Sequence, residues 1–100
     1  MAIGNEHYHP ASRARRELSQ HARKRGCQRG ISESSAQLVV LFGEAEYDNQ
    51  GGVRYLMTEK AMDGLRRAVG TTQKVEALAG VYAVVSTSDQ VIITVAHRHA

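Results

Sequence analysis

The sequence predicts one α+β domain, in which two N-terminal helices precede an antiparallel four-stranded sheet and a further helix is inserted between two hairpins. Capping residues recur through the first 60 residues, and two β-branched runs flank a turn near the C-terminus. The length of 100 residues suits one domain. Of the 24 large apolar side chains, 21 lie in residues 31–100, which is enough for a single small core.

Local capping signals predict the first two helices. Ser19 can accept a backbone N–H at the start of the first helix, which should end at Gly30 in the left-handed conformation. Ser32 should cap a second helix that ends at Gly43, and its wide apolar stripe predicts that this helix lies in the core. Gly26 lies inside the first helix and is expected to weaken it by about 1 kcal/mol relative to alanine.

The middle of the chain predicts a hairpin followed by a helix. Residues 47–58 are expected to form two strands that turn at residues 51–52, because a glycine pair between β-forming residues is typical of a hairpin. Thr58 should cap a third helix over residues 59–69, where apolar residues recur at helical spacing. A short helix is expected over residues 73–78.

The last third of the chain predicts a second hairpin. Residues 81–87 and 91–97 are rich in valine and isoleucine, and they flank a polar turn at residues 88–90. Both runs are continuously apolar, which favours central strands that are covered on each face. Strand alternation would place His97 on the same face as Ile93 and Val95.

Charge is distributed unevenly along the chain. Residues 1–30 contain seven basic and two acidic residues, whereas residues 31–100 contain six basic and eight acidic residues. We expect residues 1–17 to form a flexible basic arm, because they show almost no apolar periodicity, and residues 18–100 to form the domain. The basic third favours an anionic partner, although a solvated cationic helix would give the same pattern.

Several protein classes are excluded or disfavoured by composition. No apolar stretch approaches the ~20 residues of a membrane span, and the N-terminus has no secretory signal pattern. The single cysteine, Cys27, cannot form an internal disulfide and matches no zinc-binding pattern. We therefore expect a cytoplasmic protein that uses no metal or other cofactor and does not associate with a membrane.

The most informative spacing joins His21, Arg25 and Arg29. Residues four apart share one helix face, so these three side chains are expected to form a stripe of hydrogen-bond donors. Arginine binds phosphate in bidentate fashion, and histidine transfers protons near neutral pH. The alternative is structural: the two arginines pair with Glu33 or with strand carboxylates, and His21 caps a neighbouring element.

The same stretch carries a family resemblance. The His-Ala pair at residues 21–22, then Arg25 and the Arg-Gly-Ile-Ser run at 29–32, resemble the opening of a bacterial domain of unknown function. That domain is similar to the BrnT toxins and, more remotely, to the RelE/ParE toxin superfamily. The closing strand at 91–98 extends the resemblance, and Gly26 departs from it, since an apolar residue is usual there. The resemblance implies a RelE/ParE-like fold, of which several members cleave RNA, and a cognate antitoxin partner.

Two hypotheses of function follow. The first is a toxin-type ribonuclease without a metal, in which His21 and His97 transfer protons while Arg25 and Arg29 stabilise the phosphorane charge. The second is a non-catalytic nucleic-acid-binding or protein-interaction module with the same fold. The residues expected to contact RNA are Arg23, Lys24, Arg29, Arg54, Tyr55 and Arg98. Two of the residues in these hypotheses have a purely structural alternative. His97 would end a core strand, and Tyr55 would pack across its neighbouring strand.

Overall fold

The structure is a computed structural model that describes residues 16–98, and it is an α+β domain as predicted. Its elements, in chain order, are α1 (Gln20–Gln28), α2 (Glu33–Phe42), β1 (Glu44–Tyr47), β2 (Gly52–Leu56), α3 (Glu59–Val69), α4 (Gln73–Glu76), β3 (Val81–Ser86) and β4 (Ile92–His97). Among these helices, none has the length and apolar character needed to cross a membrane.

The predicted helix caps are confirmed. The side chains of Ser19, Ser32 and Thr58 each accept a backbone N–H from the first turn of α1, α2 and α3, respectively. Gly30 follows α1 with a φ of 73°, the left-handed conformation that glycine tolerates best. Only α4 is shorter than predicted, because it ends at Glu76 and continues as a turn.

The first hairpin begins earlier than predicted. Its first strand, β1, covers Glu44–Tyr47, and the turn occupies the residues that were expected to form the strand. The Asp48 carboxylate accepts the backbone N–H groups of Gln50 at 2.7 Å and Gly52 at 2.9 Å, which fixes this turn. The predicted start of this strand was wrong. Glutamate has low strand propensity, so Glu44 and Glu46 were not recognised as strand residues, but pairing with β2 overrides that preference.

The four strands form one antiparallel sheet in the order β1-β2-β3-β4, and the helices pack against one of its faces. Along β3, the buried residues Val81, Ala83 and Val85 alternate with Tyr82, Val84 and Ser86, which are half-buried. The expectation that this strand is covered on each face is therefore wrong. Val84 and Tyr82 lie instead on the face that the helical core does not include.

An irregularity in the β3–β4 ladder changes the face of one residue. Val84 pairs with Thr94 but Val85 pairs with Ile92, so Ile93 is the extra residue of a β-bulge. Ile92 is consequently buried at 0% exposure, while Ile93 is 39% exposed. The prediction that His97 shares a face with Ile93 is wrong, since a bulge breaks the alternation on which it depended, whereas the same prediction for Val95 is confirmed by the register. His97 shares its face with Ile92.

The residues before α1 run beside β4. The Ser19 amide donates to the Ile92 carbonyl at 2.9 Å, and the Ile92 amide donates to the Glu17 carbonyl at 2.8 Å. The Arg16 amide donates to the Gln37 side chain at 2.9 Å. Arg16 and Glu17 are thus attached to the domain, although they were expected to belong to the arm. The rest of that predicted arm, residues 1–15, lies outside the described residues.

Candidate anion-binding site

Helix α1 lies on β4 through its small residues. Ala22 and Gly26 are its two buried positions, one turn apart on the face toward the sheet. The Ile31 amide donates to the Gly26 carbonyl at 2.7 Å, and a Cβ added to Gly26 would come within 3.0 Å of the Ile31 carbonyl oxygen. Gly26 was expected only to weaken the helix. It also allows the backbone of Ile31, in the turn between α1 and α2, to pack closely against α1.

The predicted stripe is divided between solvent and the sheet. His21 and Arg25 are exposed, and within residues 16–98 their side chains have no hydrogen-bond or ion-pair partner. Arg29 instead donates through Nη1 to the backbone carbonyl of Val95 at 2.8 Å. Arg29 is thus held within the fold, as the structural alternative expected. Its acceptor, however, is a strand carbonyl and not a carboxylate.

The neighbouring cations on α1 also differ in their environment. Arg23 forms an ion pair with Glu33, with Nε 2.7 Å from the carboxylate oxygen. Lys24 is exposed and has no side-chain partner in the described part of the chain, as is true of Arg25. Because α1 itself contains no acidic residue, Lys24 and Arg25 leave two adjacent cationic groups in water.

Two arginines outside α1, Arg54 and Arg66, are held by carboxylates. Arg66 makes a bidentate contact with Glu76, at 2.8 Å for both bonds, and lies 3.2 Å from Asp63. Its hydrogen bonds lower the pKa of the Glu76 carboxyl below the ordinary range. These guanidinium donors are engaged within the fold, and they contrast with the free cations of α1.

Two predicted RNA contacts lie on β2, away from α1. Arg54 pairs with Glu46 on β1, and its guanidinium lies 5.8 Å from the centre of the Tyr82 ring. Tyr55 is only 8% exposed and belongs to the core. The expectation that Tyr55 stacks on a base is wrong for this arrangement, because the ring faces the helices. The alternative use, packing within the sheet, fits its position.

His97 lies near the C-terminal end of α1, beyond the strand residue that Arg29 contacts. It pairs with Val81 across the sheet and lines an open groove of about 490 Å³. Gly30, Lys74 and three serines of the α2 N-terminus line the same groove, namely Ser32, Ser34 and Ser35. Lys74 was not among the predicted site residues, since nothing in the sequence indicates that α4 packs near the end of β4. Arg98 is exposed just beyond this strand.

The two candidate catalytic histidines are far apart. α1 begins beside Ile92, where the Ser19 amide is bound, and its far end reaches the groove that contains His97. His97 is five residues beyond Ile92, or roughly 16 Å along the strand at ~3.3 Å per residue. His21 lies in the first turn of α1, at the Ile92 end. The structure thus does not bring His21 and His97 to one phosphodiester, where an acid and a base must both act.

Comparison with known proteins adds no family assignment. No protein-family model, no curated protein and no solved structure matches this chain. The resemblance to BrnT and RelE/ParE therefore remains a prediction. Among residues 16–98, no cluster of histidine, cysteine and acidic side chains is arranged to hold a metal ion.

Proposed function

We propose that this domain is a nucleic-acid-binding module that contacts the phosphate backbone of RNA through the exposed face of α1. The observation that carries the proposal is the pair Lys24 and Arg25, which are adjacent, exposed and free of acidic partners within residues 16–98. When cationic side chains neutralise phosphates, the counterions that surround the nucleic acid are released into solution. This release supplies most of the affinity of sequence-independent binding.

The distribution of charge across the sheet supports this surface. α1 lies against β4, one edge of the sheet, and its charged residues are all basic. Glu44, Glu46 and Asp48 lie in and beside β1, which is the opposite edge. An anionic polymer would be attracted to the α1 side and repelled from the β1 side, so the fold orients its partner electrostatically.

A binding assay with a matched charge control tests the proposal. The affinity for a single-stranded RNA is measured by fluorescence anisotropy over a range of salt concentrations. For Lys24→Ala/Arg25→Ala, we expect roughly tenfold weaker binding and a log–log salt slope shallower by about 1.4, since each lost phosphate contact accounts for about 0.7 on single strands.

The control is Lys60→Ala/Arg67→Ala, which removes the same charge from exposed positions on α3. This variant should bind within about twofold of the wild type. Equal losses in the two double variants would mean that net charge alone drives the binding, and the proposed surface would be wrong. Absence of any salt-dependent RNA binding by the wild type would also overturn the proposal.

The groove around His97 favours a second candidate, the toxin-type ribonuclease. An imidazole that shares an open groove with the Lys74 ammonium offers one proton-transfer group and one cation for phosphate charge. Under this proposal His97→Ala abolishes cleavage of RNA, whereas His21→Ala leaves it intact because His21 lies at the other end of α1. Growth arrest on expression, relieved by a cognate antitoxin and by His97→Ala, would support the toxin role. An RNA that stays intact with the wild-type protein removes this candidate.

A further inference from the structure

Residues outside the sheet form hydrogen bonds to one of its edges, β4, but not to the other edge, β1, within residues 16–98. On β4, the outward amide and carbonyl of Ile92 are bonded to Glu17 and Ser19, and the carbonyl of Val95 is bonded to Arg29. These outward groups of β4 are therefore already bonded within the fold. β1 forms the other edge, and within residues 16–98 it pairs with β2 alone.

The ladder identifies which backbone groups of β1 face outward. Asp48 donates its amide to the Gly52 carbonyl at 3.1 Å, and bonded positions alternate along an antiparallel pair. Glu46 and Glu44 therefore bond to β2, while the amides and carbonyls of Ala45 and Tyr47 point away from the sheet. All four residues of β1 are exposed, and Tyr47 is 73% exposed.

The side chains beside this edge differ in charge between the two faces of the sheet. The register places Glu44 and Glu46 on the open face of the sheet, opposite Leu56 and Arg54. On the helical face, Ala45 borders a groove of about 610 Å³ that is also lined by Phe42, Ala61 and Gly64, with Glu44 and Lys60 as its charged lining residues. An added strand would thus meet the Glu44 carboxylate and the Glu46–Arg54 pair on one face, and mainly small or apolar groups with Lys60 among them on the other.

We propose that the β1 edge binds an extended peptide segment of a partner protein by strand addition. Its alternate residues would be lysine or arginine toward Glu44, which has no ion-pair partner within residues 16–98, and apolar toward the groove beside Ala45; Glu46 is already paired with Arg54. The outward groups of Ala45 and Tyr47 supply the backbone hydrogen bonds, and the alternating environment supplies specificity. This interaction surface is separate from the α1 surface and does not depend on the proposed function.

A second copy of this chain fits the edge poorly. Antiparallel pairing of β1 with its own copy brings Glu44 and Glu46 against the same carboxylates, and like charges on facing strands are destabilising. The acidic residues therefore disfavour self-association while they attract a basic strand.

The test uses a synthetic peptide of about six residues that alternates lysine and valine. Binding is followed by fluorescence anisotropy, and hydrogen exchange of the protein amides is followed by NMR. We expect the amides of Ala45 and Tyr47 to become protected when the peptide binds. A glutamate–valine peptide, and a lysine–valine peptide with a central proline, should bind at least about tenfold more weakly.

Protein variants separate charge from backbone pairing. Glu44→Lys/Glu46→Lys should weaken binding about tenfold or more through repulsion. Ala45→Pro removes an outward amide that the fold does not use, so it should block binding in a protein that still unfolds cooperatively. Glu17→Lys places one reversed charge beside the β4 edge and should leave binding unchanged.

Several results would overturn the inference. One is the absence of binding up to about 1 mM peptide, which would leave the acidic residues as protection of the edge alone. Equal binding of the proline-containing peptide, or protection of amides outside β1, would indicate nonspecific charge attraction. A wild-type protein that dimerises through the β1 edge would show that a second copy is the occupant.

Discussion

Arg29 reaches from the end of α1 to the backbone of β4, where its Nη1 donates to the Val95 carbonyl at 2.8 Å. Val95 O faces away from β3, so this guanidinium gives a hydrogen-bond donor to a carbonyl at the edge of the sheet. The contact assigns Arg29 to the scaffold. It leaves Lys24 and Arg25 as the cations of α1 that are free to contact an anion.

Arg29 and Arg25 should therefore differ in their effect on stability. We expect Arg29→Ala to lower the free energy of unfolding by about 1–2 kcal/mol, because it removes a charged donor and leaves a strand carbonyl without its partner. Arg25→Ala should change stability by less than about 0.5 kcal/mol, as is usual for exposed positions. Chemical denaturation of both variants measures the difference. Equal values would contradict a structural role for Arg29.

The two helical glycines should respond oppositely to alanine. Gly26→Ala is expected to destabilise the domain by about 1 kcal/mol or more, since the new Cβ would press on the Ile31 carbonyl oxygen at 3.0 Å. Gly64→Ala in α3 should stabilise it by about 0.5–1 kcal/mol, because its nearest neighbour is the Phe42 ring edge at 4.0 Å. Thermal unfolding distinguishes the two. A stabilising Gly26→Ala would show that the α1–α2 turn is looser than described.

The bulge in β4 makes two adjacent isoleucines unequal. Ile92→Ala should cost about 2–4 kcal/mol, since a fully buried side chain leaves a cavity, whereas Ile93→Ala should cost less than about 1 kcal/mol. Regular alternation without the bulge would instead place Ile93 with His97 on the core face. Denaturant unfolding of both variants checks the register, and a larger loss at Ile93 would contradict it.

The turn carboxylate Asp48 should give the fold a measurable acid sensitivity. Backbone N–H groups of Gln50 and Gly52 lower the pKa of Asp48 below its ordinary value of about 3.9. Since the folded-state pKa is the lower one, this stabilisation is present above about pH 4 and is lost as the pH falls through the folded-state pKa.

Asp48→Asn provides the comparison for this effect. The stability difference between wild type and variant, measured by unfolding at a series of pH values, should be largest near neutral pH and should vanish in strong acid. A difference that does not change with pH would show that the charge of Asp48 contributes nothing, and that only its shape as an acceptor matters.

The local signals of the chain were sufficient for its helices. Ser19, Ser32 and Thr58 each cap a helix as predicted, and Gly30 ends α1, because capping depends on bonds within one turn of the same segment. The antiparallel hairpin order also followed from turn residues and β-branched runs. The start of β1 did not, since pairing with a neighbouring strand rather than residue preference forms it.

Sequence alone thus determined that His21, Arg25 and Arg29 follow one another at four-residue spacing at α1, and His21 and Arg25 are both exposed. Only the tertiary structure decided that Arg29 bonds to Val95, that a bulge exposes Ile93, and that His97 lies at the opposite end of α1 from His21. The physical reason is range. Caps and periodicity arise within one turn of chain, whereas the bulge depends on how β4 pairs with β3, and the positions of Arg29 and His97 relative to α1 depend on how α1 is aligned with a strand more than 60 residues away.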